Sequence, residues 1–420
     1  MVPHLITALN GPINELEQRI LDSMPAIERW FRLEWMEHTP VFYTSVDVRN
    51  AGFKLAPVDT SLYPSGWNNL TPAMLPLAVQ AAMVAIEKIC PEAKNLLLIP
   101  ENHSDNLKNT FYLSSVFRLR QIFNMAGLNV RVGSIDPDIK ENTQITLPNG
   151  ESILLEPVIR SGKRLGLKDF DPCTILLNNE LTKGLPGILE ELYEQFVLPP
   201  LHASGSIRRK STHYQNYDEV CKRFGKLLGV DPWLINPMFL TCTEVDLVST
   251  VDTLLAKIKK KYKEYGITDK PFVVVKTNHS SLVGKQAGSN VIMLRQSADL
   301  KNHKDIATFV GELVVQEGVA TKERVNDAVA EPVVYMMDRY VVGGFYRVHA
   351  DRGMDENLCS PGSRYVPLAF AEGAELPSPG VKPGAYAPNR FYMYGVIARL
   401  AMLAASYELE ATDPDAEIYE

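Results

Sequence analysis

Apolar and polar residues follow one another along the chain with spacings that predict both helices and strands. Across residues 13–36 the apolar positions recur at helical spacing, so a helix is predicted there, and Pro25 is expected to split or kink it. The same spacing predicts further helices at residues 73–89, 107–126, 213–228, 246–264 and 391–410. Short apolar runs predict buried strands at residues 41–48, 96–100, 129–132, 174–177, 272–275 and 313–316.

The order of these elements favours an α/β fold, with a parallel sheet in an N-terminal α/β region and α+β structure beyond it. Strand 96–100, helix 107–126 and strand 129–132 have the spacing of a βαβ unit, which places two parallel strands side by side. Antiparallel hairpins are predicted at residues 144–158, 272–294 and 331–349. A Pro-Pro pair before a Gly/Ser stretch leads us to expect a boundary between residues 1–205 and residues 206–420.

The composition is that of an ordinary globular protein with a mild excess of acid. Of 420 residues, 45% are hydrophobic and 22% are charged, which excludes a wholly disordered chain. With 43 basic and 50 acidic residues the net charge is −7, so we expect neither nucleic acid nor a membrane as a partner. The lysine-rich run at residues 257–263 is then a solvated helix end, with nucleic-acid binding as the less favoured alternative.

Cysteine content and the start of the chain bear on location. Five scattered cysteines without a CxxC pair indicate neither a disulfide framework nor a zinc motif. Residues 1–10 lack the basic cluster and the apolar stretch of a signal peptide. Both observations lead us to expect a cytoplasmic protein.

The chain lacks the short motifs of several enzyme classes. No GxSxG, HExxH, GxxxxGK[ST] or helix-opening GxGxxG occurs in it. The eight histidines do not pair at metal-ligand spacing. Serine-hydrolase and zinc-enzyme functions are therefore disfavoured.

Single cations and oxygen-bearing side chains near strand ends are the strongest candidates for chemistry. Lys276 follows a buried strand and precedes a loop of small residues at 277–289, whose backbone N–H groups suit phosphate oxygens. Arg347 lies on another strand, and residues 355–357 supply oxygen atoms suited to a hard cation. Cations and magnesium ligands are what phosphoryl transfer requires. Taken singly, each feature is also typical of a surface cap, a plain loop or a solvated turn.

In their order along the chain, these residues resemble an ATP-grasp ligase. The order runs from a first lysine, Lys210, through the strand-end Lys276 and a small-residue loop to the turn Gln316-Glu317-Gly318-Val319. More specifically, the chain resembles the proteobacterial glutamate–cysteine ligase family of the ferrooxidans type over nearly its full length. The most specific stretches are residues 48–59, 99–103, 160–167, 231–237 and 331–349.

The resemblance implies an activity and its substrates. ATP would phosphorylate the side-chain carboxylate of glutamate, and the amine of cysteine would attack the resulting acyl phosphate. The product would be γ-glutamylcysteine, the first intermediate of glutathione synthesis. The implied cofactors are ATP and Mg²⁺, the implied partners are the two small-molecule substrates, and a homo-oligomer is left open.

The resemblance also implies roles for individual residues. The predicted catalytic residues are Lys276 and Arg347, with Arg347 stabilising charge on the transferring phosphoryl group. The predicted nucleotide contacts are Lys210 and Lys276 for the phosphates, and Gln316, Glu317 and Val319 for adenine. The predicted magnesium ligands are Asp355, Glu356 and Asn357. Candidates to bind amino-acid carboxylates are Arg49, Lys54, Arg160 and Lys163. Surface ion pairing is the alternative for each of these four.

Two departures from the family pattern keep other functions open. The loop at residues 277–289 is longer and poorer in glycine than the Gly-Thr-Tyr-Gly-Met-Gly character of the family. Cys359 stands where the family tends to place asparagine, and a soft thiol is a poor substitute for a hard oxygen ligand. The alternatives are a ligase that uses another amine, and an amino-acid or nucleotide-binding protein that has lost catalysis.

Overall fold

A computed structural model of the protein describes residues 5–6, 12–102, 109–279, 291–303, 309, 311–368 and 387–414. The helices in these residues are α1 (Pro12–Asp22), α2 (Met24–Glu37), α3 (Leu75–Ile89), α4 (Thr110–Met125), α5 (Lys210–Leu228), α6 (Leu247–Glu264) and α7 (Ala387–Thr412). The strands of the N-terminal half are β1 (Leu5–Ile6), β2 (Tyr43–Asn50), β3 (Leu55–Ser61), β4 (Asn95–Pro100), β5 (Asn129–Ser134), β6 (Thr143–Thr146), β7 (Ser152–Pro157), β8 (Ile159–Ser161), β9 (Arg164–Gly166), β10 (Thr174–Asn178) and β11 (Phe196–Leu198). Those of the C-terminal half are β12 (Phe239–Cys242), β13 (Val273–Thr277), β14 (Val291–Leu294), β15 (Leu313–Glu317), β16 (Arg324–Val325), β17 (Ala328–Met337), β18 (Tyr340–His349) and β19 (Arg364–Pro367).

Helices and strands alternate in the N-terminal half and form a six-stranded sheet. Its order is β11-β10-β4-β5-β7-β6, and every neighbouring pair is parallel except β6 and β7. The βαβ unit predicted from the sequence is confirmed, because α4 joins the parallel strands β4 and β5. The side chain of Asn109 accepts hydrogen bonds from the backbone of Phe111 and Tyr112 and so caps the start of α4. The α/β fold class predicted from the sequence is confirmed.

A seven-stranded antiparallel sheet combines strands from both halves of the chain. Strand β17 pairs with β2 on one side and with β18 on the other, while β3, β19, β16 and β1 extend the sheet. The predicted hairpin at residues 331–349 is confirmed by the pairing of β17 with β18. Strand β2 precedes the expected boundary at residues 205/206 and β17 follows it, so the two predicted regions share this sheet.

A smaller antiparallel sheet of four strands packs beside the seven-stranded sheet. Its order is β12-β15-β13-β14, and β13 with β14 forms the hairpin predicted at residues 272–294. Valines of β13 and β15 belong to the same hydrophobic cluster as Val46 and Val48 of β2. Helix α6 covers the small sheet through contacts with β12, β13 and β15. The two antiparallel sheets therefore share one core.

Helix α7 closes this shared core. It packs against α5 and against strands β2, β3 and β17. From residue 393 to residue 405 nearly every side chain is buried, which is the pattern of a helix surrounded by protein on all sides. The predicted helix at residues 13–36 is divided into α1 and α2 after Asp22, as the position of Pro25 suggested. No helix in the described part of the chain is long and apolar enough to cross a membrane.

Truncating a methionine of α7 should destabilise the fold. Met402 is fully buried in the shared core, so Met402→Ala is expected to lower the free energy of unfolding by about 2–5 kcal/mol through lost contacts and a residual cavity. Met36→Ala is the matched control, because Met36 is 76% exposed and its loss is expected to cost less than about 0.5 kcal/mol. Urea denaturation followed by circular dichroism measures both. Equal effects of the two substitutions would contradict the assignment of α7 to the core.

Candidate active site

Three charged side chains lie side by side on neighbouring strands of the seven-stranded sheet. Glu331 of β17 lies opposite Arg347 of β18, and its carboxylate accepts a hydrogen bond of 2.7 Å from that guanidinium. On the other side, Arg49 Nε of β2 donates to the second carboxylate oxygen at 2.7 Å. Burial alone would raise the pKa of Glu331, but the charges of Arg49 and Arg347 hold it below its usual range. A single carboxylate thus fixes two arginines.

Asp47 is the second acid of this group, and Arg347 also pairs with it. Burial raises the pKa of Asp47 to about 6, with the charge of Arg347 opposing the shift and that of Glu331 adding to it. We refer to Asp47, Arg49, Glu331 and Arg347 as the charge cluster. The Nε atom of Arg347 is buried and has no hydrogen-bond partner among the described residues. The cluster therefore retains one donor able to serve an incoming anionic oxygen.

Lys276 lies where the two antiparallel sheets meet. From β13 in the small sheet, its Nζ donates to the backbone oxygen of Val58 in β3 at 2.7 Å and to Gln316 Oε1 in β15 at 2.9 Å. Burial lowers the pKa of Lys276, and the charge of Asp59 partly offsets that effect. A small pocket beside it is lined by Pro57, Asp59, Thr60, His213, Tyr214, Tyr217, Asn236, Pro237 and Gln316.

The structure brings Lys210 close to Lys276. Lys210 is the first residue of α5, and its backbone N–H donates to the backbone oxygen of Asn278, just beyond β13, at 2.9 Å. Burial lowers the pKa of Lys210, the charge of Asp59 opposes this, and the nearby charge of Lys276 lowers it further. Two cations and the positive end of a long helix therefore converge, an arrangement that favours an anion.

Lys54 and Glu317 pair with each other in the interior. Lys54 Nζ lies 2.7 Å from Glu317 Oε2, and both side chains are at most 1% exposed. Glu317 also accepts hydrogen bonds from Trp233 Nε1 and from the backbone of Met238, while the ammonium lies 4.0 Å from the centre of the Trp233 ring. Burial lowers the pKa of Lys54 to about 8, against the opposing charge of Glu317. The substrate role of Lys54 stays a prediction, and the structure gives this lysine a protein partner.

The turn predicted to hold adenine is bound on both sides by the protein backbone. The N–H of Glu317 donates to Met238 at 2.7 Å and that of Gly318 to Phe272 at 2.9 Å. A Cβ at Gly318 would lie 2.2 Å from the Phe272 ring, so this position requires glycine. The carbonyl of Val319 accepts from Arg49 at 3.2 Å, which ties the turn to the charge cluster. The adenine role of the turn remains a prediction.

Arg160 and Lys163 lie on the separate β8–β9 hairpin. The Arg160 guanidinium donates to the backbone of Gly162 at 2.9 Å and of Gly187 at 2.8 Å. Lys163 is exposed, and its ammonium lies 5.3 Å from the centre of the Tyr193 ring. None of these contacts involves the charge cluster, so these two residues are not brought together with the other candidates. Their substrate role stays a prediction.

The three predicted magnesium ligands already have protein partners. Asp355 pairs with Arg295. Glu356 accepts hydrogen bonds from the backbone of Gly353 at 2.6 Å and from Arg352, and Asn357 Oδ1 accepts from the backbone of Cys359 at 2.9 Å. Across the described ranges, no group of three or more His, Cys, Asp or Glu side chains is arranged to hold a metal ion. As they are arranged, these oxygens do not fit a magnesium site. The role of the three residues as magnesium ligands stays a prediction.

The sequence departs from the family pattern in the loop at residues 277–289 and at Cys359, and the structure describes only the second of these in full. Residues 280–289 of the predicted phosphate-covering loop lie outside the described residues. Cys359 is described. Burial raises the pKa of its thiol, while the charge of Arg347 opposes that shift. The thiol is therefore within electrostatic range of an arginine of the charge cluster.

Sequence reasoning missed the acids that organise the site. Asp47 and Glu331 are charged residues within strands of largely buried side chains, and that interruption was the available signal. A third missed acid, Glu408 of α7, accepts from Arg208 at 2.7 Å and lies 3.1 Å from His213 Nδ1. Burial would raise the pKa of Glu408, but the charge of Arg208 and the contact with His213 lower it to about 2. This buried group anchors the segment that leads into Lys210.

Comparison with known proteins identifies the family of the chain. A sequence model of the glutamate–cysteine ligase family matches residues 17–409. A crystal structure described as a candidate gamma-glutamylcysteine synthetase from Methylobacillus flagellatus KT is 50% identical in sequence, covers 98% of this chain and 100% of its own, and superposes with a TM-score of 0.89. No curated protein matches the chain. Because the family match spans most of the chain, the chain belongs to the glutamate–cysteine ligase family, as its sequence predicted, and is an enzyme of that family.

Proposed function

We propose that the protein joins the side-chain carboxylate of glutamate to the amine of cysteine in an ATP-dependent reaction through an acyl phosphate. Membership of the glutamate–cysteine ligase family supports the ligase and its product, γ-glutamylcysteine. The observation that carries the ATP-dependent step is the convergence of buried cations where the two antiparallel sheets meet. These cations are Arg49, Lys210, Lys276 and Arg347.

Burial makes these cations suited to a polyphosphate. Removal from water lowers the pKa of both lysines, and the negative charge of a bound anion would raise it again. The unpartnered Nε of Arg347 is a further donor of the kind that phosphate oxygens accept. Phosphoryl transfer depends mainly on positioning and charge neutralisation, which is the work such a group of cations performs.

In this proposal the chain supplies binding and orientation, and ATP supplies a phosphoryl group that turns a carboxylate oxygen into a leaving group. Lys210 and Lys276 bind phosphate oxygens. Arg347, held in place by Asp47 and Glu331, stabilises charge on the transferring group. No protein nucleophile takes part, which agrees with the absence of hydrolase motifs from the sequence.

The ATP-grasp resemblance extends this proposal to the position of the nucleotide. It implies a nucleotide in an interdomain cleft, and Lys276 reaches from one antiparallel sheet to the other where the two meet. The proposal includes adenine contacts at residues 316–319, Mg²⁺ as counter-ion and amino-acid contacts at Arg49. It also includes a division of the chain near residue 205 and a cytoplasmic location.

An assay with a panel of amines tests this function. Purified protein is supplied with ATP, Mg²⁺ and glutamate, and phosphate release is measured with cysteine and with other amino acids in turn. We expect release with cysteine and little with the other amines. Release with a different amine alone would favour the alternative ligase. No release with any amine, combined with ATP binding in a thermal-shift assay, would favour a binding protein without catalysis.

Removal of the Lys276 ammonium should abolish turnover. Lys276→Ala deletes a cation from the proposed phosphate site and is expected to lower kcat about 10²-fold or more, as loss of one transition-state donor does. Lys260→Ala is the control, since Lys260 is an exposed lysine of α6. Circular dichroism checks that both variants fold. Unchanged turnover in a folded Lys276→Ala variant would refute the nucleotide site.

A further inference from the structure

A second crevice lies at the carboxyl edge of the six-stranded sheet. From β4 the chain passes through α4 to β5 on one side, while β10 lies on the opposite side of β4. The strand order therefore reverses between β4 and β10, and open α/β sheets bind ligands at such a point, beyond the carboxyl ends of the strands. Glu101 and Asn102 follow β4 there, and Asn179 and Glu180 follow β10.

Hydrogen bonds hold Glu101 at this edge. Its Oε1 accepts from the backbone N–H of Glu180 at 2.8 Å, and its own N–H donates to the hydroxyl of Tyr112 at 2.9 Å. The Tyr112 hydroxyl in turn donates to the carbonyl of Asn178 at 2.9 Å. Burial raises the pKa of Glu101 to about 7, the hydrogen bond from Glu180 opposes this, and the charge of Glu180 adds to it. A rigidly held carboxyl group that titrates near neutrality is suited to proton transfer.

A cavity opens beside these residues. Asn102 and residues 181–186 line a cavity of about 270 Å³, partly open to solvent, which is room for an amino acid. Thr182 is only 7% exposed, yet its hydroxyl has no hydrogen-bond partner among the described residues. The neighbouring Lys183 is exposed and lines the same cavity. An unpartnered buried hydroxyl beside a cation indicates a polar ligand.

The crevice adjoins the proposed phosphate site. The backbone N–H of Gly205 donates to the carbonyl of Glu180 at 2.7 Å, which ties the crevice to the segment that leads into α5. Burial lowers the pKa of Lys210, and the charges of Asp59 and Glu180 partly oppose that shift. The crevice and the cations proposed to hold phosphate are thus linked by one backbone hydrogen bond and by the charge of Glu180.

We infer that this crevice binds cysteine and that Glu101 accepts a proton from the ammonium of cysteine, which frees the amine for attack. The inference rests on the function proposed above. The net charges of the two substrates indicate which site each one occupies. Cysteine is neutral overall and presents an ammonium to Glu101 and Glu180. Glutamate carries an additional negative charge, which suits the cations of the charge cluster. Lys183 and the hydroxyl of Thr182 are placed to bind the carboxylate of cysteine.

The step balances with the groups present. The cysteine nitrogen forms a bond to the carbonyl carbon of the glutamyl phosphate, and the bond from that carbon to the phosphate oxygen breaks. Before attack, the ammonium of cysteine gives one proton to the carboxylate of Glu101. As the amide forms, phosphate leaves with the electron pair and takes up the second proton from nitrogen. No oxidant or reductant is needed.

Comparison of two nucleophiles tests the role of Glu101. Hydroxylamine is largely unprotonated at neutral pH, so its attack on the acyl phosphate needs no base. Glu101→Gln is expected to lower kcat with cysteine by about 10²–10⁴-fold while hydroxamate formation with hydroxylamine stays within about 2-fold of the original enzyme. Its cysteine rate should also lose the rise through about pH 7 that the titration of Glu101 gives the original enzyme. Glu151→Gln, at an exposed hairpin turn, should change neither rate.

Three results would overturn the inference on Glu101, and they are distinguishable. An unchanged cysteine rate would exclude a role as base. Equal losses with both nucleophiles would indicate a structural role. Absence of any hydroxamate from the original enzyme, ATP and glutamate would refute the acyl-phosphate mechanism itself, and the inference would fail with it.

Thr182 gives an independent test, which also serves if Glu101→Gln does not fold. Thr182→Val keeps the shape of the side chain and removes the hydroxyl, so the KM for cysteine is expected to rise about 10-fold while the KM values for glutamate and ATP do not change. Thr146→Val, on the exposed edge strand β6, is the matched control. A rise in the KM for glutamate instead would assign the crevice to the other substrate, and no change in any KM would refute the cysteine site.

Discussion

The two ion pairs of Glu331 hold the candidate active site together. One carboxylate binds Arg49 on the preceding strand of the sheet and Arg347 on the next, so a single side chain positions two guanidinium groups that are distant in sequence. Buried charges persist only when they are paired, and each of the three therefore depends on the other two. Arg49 also binds the carbonyls of Val319 and Glu356, which draws two loops to the same place.

Charge is divided between two neighbouring crevices. Where the antiparallel sheets meet, buried cations dominate, and they suit phosphate and the carboxylates of glutamate. At the edge of the parallel sheet Glu101 and Glu180 dominate, and they suit an amine. The backbone contact between Gly205 and Glu180 keeps these opposite environments adjacent. In the proposed function, such a division lets an acidic protein, with a net charge of −7, bind anionic substrates in a restricted volume.

Local signals in the sequence predicted most elements and several positions of the site. Lys276 was identified because it directly follows a run of valines, and the hairpins were identified from turns between alternating runs. Asp47 and Glu331 were not predicted as site residues, because their roles depend on the pairing of β2 with β17, which no local pattern encodes. Lys54 and Glu317 illustrate the same limit, since each received a separate ligand role and the fold joins them as a buried pair.

The pairing of β2 with β17 also sets the time at which the site can form during synthesis. A ribosome releases Asp47 and Arg49 long before it makes Glu331 and Arg347, so the nascent chain carries the first pair without its partners. The strands of the parallel sheet all lie within residues 95–198 and can assemble early, because domains generally fold from the N-terminus as the chain emerges. Helix α7, which closes the shared core, emerges after all of the described strands. A chain released before α7 would therefore carry a complete parallel sheet beside an unsealed cation site.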